Sequence, residues 1–147
     1  MTRAVFIARG AQQTARALRS LLEELFSQSL KQMELLEREN YAAIERLLER
    51  KAALLQMLPA VIAAARERGW DLHQPSTFPA DETCARLLRE AADFAVRLQA
   101  HEKYCLGEMI TRRNRIGERL TVLLSKRNAA SGYRVAQTRG RTVDASR

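Results

Sequence analysis

His101, Glu102 and Cys105 are the residues of this 147-residue chain whose types and spacing come nearest to chemistry. Positions four apart on a helix share a face, so the imidazole of His101 and the thiol of Cys105 could address one metal ion. A closed structural zinc site needs four such ligands, and the chain adds only Cys84 and, in a predicted loop, His73. If one helix carries both cysteines, their spacing in sequence sets them ~30 Å apart at 1.5 Å per residue, too far for a disulfide. Neither a metal nor a cofactor is expected. The chain has no glycine-rich phosphate loop and no GxSxG elbow, and no Ser/His/Asp set falls in a strand-turn-helix context. Its glutamates recur at the spacing of a solvated helix face. The residues read as those of a non-enzyme, with the two cysteines acting as small apolar side chains in a reducing compartment.

The elements around these residues are helical. From Leu18 through Leu21, Leu22, Leu25, Phe26, Leu30, Met33 and Leu36, then Ile44, Leu47, Leu48, Lys51, Leu54, Leu55 and Leu58, steps of three and four dominate, which is the signature of an amphipathic helix. Pro59 lacks an N–H and crowds the preceding turn, so a kink is expected there. Arg66, Arg68 and Gly69 supply a basic last turn and a glycine stop. After a connection over 70–78, a second helix opens at Pro79, Asp81 and Glu82 and runs through Leu87, Leu88, Phe94, Leu98 and Cys105 to Leu124, fading near Asn128. The expected fold is all-α: an elongated antiparallel hairpin of two long helices over residues 1–128, the first kinked near Pro59, followed by a flexible basic tail over 129–147. The apolar stripes Leu21/Leu22/Leu25/Phe26 and Met109/Ile110 are broader than a two-helix seam buries, which implies a partner helix or a second copy.

Charge is divided along the chain. Of 25 basic and 17 acidic residues, residues 112–147 hold ten and two, so the body is neutral and the whole excess of +8 lies at the end. A nucleic-acid partner is not expected, because Tyr133 is the only aromatic residue of that basic segment and stacking platforms need more. The run over 4–8 is too short for a signal-peptide core, and no apolar stretch approaches the roughly 20 residues of a membrane span. A soluble, intracellular protein without stable membrane insertion is expected.

Several local patterns then fall in a familiar order. Leu21, Leu22 and Leu25 lead to Leu36-Glu37, Ile44, Leu47-Leu48-Glu49-Arg50-Lys51 and Leu54-Leu55. Leu106-Gly107-Glu108-Met109-Ile110 precedes Leu120 and Leu123-Leu124, and the end carries Tyr133 and Gly140. In this the chain resembles the FlgN family of flagellar export chaperones, with Leu106 standing where members often have Asn before the glycine. The resemblance implies a helical, non-enzymatic, cytoplasmic chaperone that holds hook-filament junction proteins before secretion, with export-apparatus components as further partners. The cargo surface is expected on the second helix, at Leu106, Met109, Ile110, Arg113, Ile116, Leu120, Leu123 and Leu124, where Gly107 and Gly117 each weaken the helix by ~1 kcal/mol. The competing reading makes these residues hairpin core. Two rival functions use the same stripes: a structural coiled-coil adaptor that forms homo-oligomers, and a chaperone for another flagellar or type III secretion substrate.

Overall fold

The computed structural model describes the backbone of residues 3–145 and the side chains of residues 10–130. It is all-helical: α1 (Arg3–Glu37), α2 (Tyr41–Glu67) and α3 (Glu82–Ala145), with a short 3-10 turn at Pro75–Thr77. Among the described residues there is no strand, only an isolated bridge between Asp71 and Gln74. The chain forms two compact units, Met1–Leu106 and Gly107–Arg147.

The first long periodic segment is two helices, which corrects the expected single helix kinked near Pro59. The break falls at Arg38-Glu39-Asn40, and Pro59 lies inside α2. Asn40 N–H donates to the Leu35 carbonyl at 3.0 Å and Glu39 N–H to that of Leu36 at 3.1 Å. This is a Schellman closure, which requires a left-handed residue between the helix and the outgoing chain. Glu39 takes that conformation, with φ of 57°. Asn40 then begins the next helix by accepting the Ala43 N–H at its side-chain oxygen, 3.2 Å, in the usual manner of an N-cap.

The end of α2 follows the sequence expectation. Gly69 has φ of 79°, its N–H donates to Arg66, and Trp70 N–H donates to Ala65. Closing the helix in this way folds Trp70 back into the core beside Ala65. Asp81 opens α3, its carboxylate accepting the Cys84 N–H at 3.1 Å. The Cys84 thiol and then its N–H, joined by a hydrogen bond from Gln12, hold the Asp81 carboxyl below its ordinary pKa.

Within the first unit the direction of each helix is set by who meets whom. Residues of α1 and α3 joined by hydrogen bonds, Gln12 with Asp81, Arg19 with Glu90 and Ser29 with His101, are 69, 71 and 72 positions apart. A nearly constant separation means parallel helices. Against α2 the order reverses, for Gln32 meets Lys51 while Ala15 and Leu18 share a cluster with Ala65. The expected two-helix hairpin is therefore corrected to three helices running up, down and up. The core holds Ala15, Leu18 and Leu22 of α1, Ala65 of α2, Trp70, and Leu87, Leu88 and Ala91 of α3. Leu18, Leu25 and Leu88 are fully buried, each contributing about 2 kcal/mol of apolar transfer.

That third helix also changes the fate of the first apolar stripe. Leu21, Leu22 and Leu25 are buried, and half-buried Phe26 lies against Phe94 and His101 of α3, so most of the surface expected to be spare at this stripe is covered within the first unit. At the other end α3 is helical to Ala145, beyond the expected fading near Asn128. The side chains of 131–147, where most of the tail expected to be flexible falls, lie outside the described residues.

Candidate helix-binding surface

The pair that first suggested metal chemistry is engaged otherwise. His101 Nε2 lies 3.2 Å from the Ser29 carbonyl oxygen, and the Cys105 thiol donates to the same oxygen at 3.8 Å. Among the described residues no three His, Cys, Asp or Glu side chains converge as metal ligands. Burial pushes the Cys105 thiol up from its ordinary pKa. Cys84 is pushed to about 11, first by desolvation and then by Asp81. Both therefore stay protonated at neutral pH, the weakly nucleophilic form.

These residues border a polar layer that periodicity hid. Lys51, placed by spacing within an apolar stripe, is buried; its ammonium donates to Gln32 at 2.8 Å and pairs with Glu102. Three helices meet on one side chain. The signal in the sequence was the charge itself, a lysine at a stripe position between Leu48 and Leu54. Beside it, Ser29 Oγ and Gln28 Oε1 are buried without hydrogen-bond partners. The first unit also holds an apolar groove of about 390 Å³, floored by Leu18 and Leu22 and walled by Leu58, Ile62, Ala95 and Val96.

The residues expected to bind a partner are displayed, not packed. Leu106, which closes the first unit, is exposed, and so are Ile110, Arg113 and Leu124 in the second. Ile116 and Leu120 are each 54% exposed and Leu123 is 62% exposed; Met109 is half-buried. At about 100° per helical residue, Met109, Ile110, Arg113, Ile116, Leu120, Leu123 and Leu124 fall within an arc of about 140°, one continuous face. A Cβ at Gly107 or Gly117 would meet nothing within 4 Å among the described residues, so no close approach there requires either glycine. Each instead receives a back-bond at its carbonyl, from Thr111 at 2.9 Å and from Thr121 at 2.8 Å, a contact that tends to bend a helix slightly.

Net charge separates the two units. In the first, Arg19, Arg38, Lys51, Arg89 and Arg97 are each paired with a carboxylate. Over 107–130, Arg112, Arg113, Arg115, Arg119, Lys126 and Arg127 outnumber Glu108 and Glu118, and among the described residues none of these cations has an ion-pair partner. The Nε of Arg112 makes no hydrogen bond at all. No helix among the described residues is long and apolar enough to cross a membrane. A displayed aliphatic face bordered by arginines that have no ion pair among the described residues can bury a complementary helix. Compared with family models, with curated proteins and with solved structures, the chain matches none.

Proposed function

We propose that this chain is a cytoplasmic flagellar export chaperone that holds the amphipathic terminal helices of hook-filament junction proteins before secretion. The observation that carries the reading is the exposed aliphatic face of α3 at Ile110, Ile116, Leu120, Leu123 and Leu124, with half-buried Met109 beside it. The FlgN-like order of leucine motifs and the absence of catalytic constellations in the sequence support it. The mode of recognition is helix against helix: cargo leucines and isoleucines cover the face, and the surrounding arginines set its orientation. Ordering against cargo would also offset the helix weakness at Gly107 and Gly117.

Ile116→Ala with Leu120→Ala tests the proposal. Both side chains are about half exposed in the free chain, so each gains only part of its transfer free energy on binding, and the double variant should weaken binding of a hook-filament junction protein by about 2 kcal/mol. Helix content by circular dichroism should stay unchanged, since neither residue belongs to the buried core. Undiminished binding in isothermal titration would move the cargo surface elsewhere. A folded chain that binds no such protein but self-associates through this face would leave the coiled-coil adaptor in its place.

A further inference from the structure

We infer that the exposed face of α3 selects an acidic amphipathic helix and rejects a second copy of itself. This deepens the proposed function and rests on its reading of the face as a helix acceptor.

The argument lies in the register of residues 109–127. Met109, Ile116 and Leu123 recur every seven residues, as do Ile110, Gly117 and Leu124. Between these rows runs a third at the same spacing: Arg113, Leu120 and Arg127. One step before it lies Arg112, Arg119 and Lys126, a border row in which every member is cationic. In a heptad description these rows are d, e, a and g, and the residues flanking the seam decide which helix may pair and in which direction.

A second copy fails in both directions. Laid parallel, it sets Arg113 against Arg113 and Arg127 against Arg127 in the seam, while Arg112 and Arg119 of the g row meet Gly117 and Leu124, which offer no carboxylate. Laid antiparallel, g faces g, so that Arg112 approaches Lys126 and Arg119 approaches its own copy. Like charges directly opposed destabilise a pairing.

An acidic helix satisfies every position. Its aliphatic side chains cover Met109, Ile116, Leu120 and Leu123, and carboxylates facing Arg112, Arg119 and Lys126 supply partners these cations lack among the described residues. Carboxylates opposite Arg113 and Arg127 fix the register. A nucleic-acid strand would meet the same arginines but would leave the interleaved leucines in water, and residues 107–130 contain no aromatic side chain on which a base could stack.

The test uses the full chain and two labelled helical peptides with the same aliphatic seam, one with Glu and one with Lys in the row facing Arg112, Arg119 and Lys126. Fluorescence anisotropy at 0.1 M salt should show the Glu peptide bound at least about 10-fold more tightly, a preference that shrinks at 1 M salt. The variant Arg112→Glu/Arg119→Glu/Lys126→Glu, checked for unchanged helix content, should reverse it. Equal affinities would overturn the charge selection while leaving the helix acceptor standing. Binding of neither peptide would overturn both. Tighter binding of a single-stranded oligonucleotide or an anionic phospholipid vesicle than of the Glu peptide would overturn the inference in favour of a polyanion.

Discussion

Lys51 shows how a single residue can reverse the usual order of mutational cost. Its side chain is 6% exposed and that of Glu102 is 40% exposed. Removing Glu102 strands a buried ammonium with only Gln32 for compensation, whereas removing Lys51 leaves a carboxylate that water can reach. Glu102→Ala is therefore expected to cost about 3 kcal/mol. Lys51→Met, which fills similar volume with an apolar chain, should cost under about 1 kcal/mol, and adding it to Glu102→Ala should recover most of the loss. Urea unfolding of the three variants decides the matter, and equal losses from the two single changes would contradict the argument. What the charge contributes in the wild-type chain is register, since one ammonium links α1, α2 and α3 at a single level of the bundle.

At the scale of the element, α3 depends on how its first turn is held. The Asp81 carboxylate accepts the Cys84 N–H and a bond from Gln12, and its pKa is lowered first by the Cys84 thiol and then by those two contacts. A carboxyl whose folded pKa is depressed adds stability above its unfolded value, near 4, and loses it as pH falls through the folded value. The difference in stability between the wild-type chain and Asp81→Ala should accordingly be constant from pH 7 to about 5 and should shrink as pH falls below about 4. Thermal unfolding followed by circular dichroism at a series of pH values measures it. A gap that widened on acidification would show that the cap acts other than through its charged form. The same helix carries the surface argued to bind cargo.

Across the whole molecule, charge is matched in one unit and unmatched in the other. The first unit ties its α1 and α3 with pairs such as Arg19–Glu90, while residues 107–130 hold six cations against two carboxylates. Repulsion between copies of that segment should keep the chain monomeric at 0.1 M salt, despite its exposed leucines. Raising salt to 1 M shortens the screening length from about 10 Å to about 3 Å, so sedimentation equilibrium should show self-association increasing with salt. A dimer at 0.1 M that dissociates as salt rises would mean that attraction, not repulsion, governs contact between copies.

The sequence by itself determined that the chain is helical, that one helix closes at Gly69 and the next opens at Asp81, and that the cationic excess follows an apolar stripe. These are local properties, set by side-chain spacing, by the conformational freedom of glycine and by the capping capacity of a carboxylate. Tertiary structure decided the rest. The turn at residues 38–40 contains neither glycine nor proline, and Glu39 adopts a left-handed conformation for which its residue type gives little warning, so the leucine pattern ran through a helix end unmarked. Periodicity shows that a helix has an apolar face but not what covers it. Leu21, Leu22 and Leu25 were buried within the three-helix unit, whereas Ile110, Ile116, Leu120, Leu123 and Leu124 were left exposed. The same spacing of leucines served as core in one place and as surface in the other, because burial depends on which elements meet, a matter of the folded chain and not of any one segment.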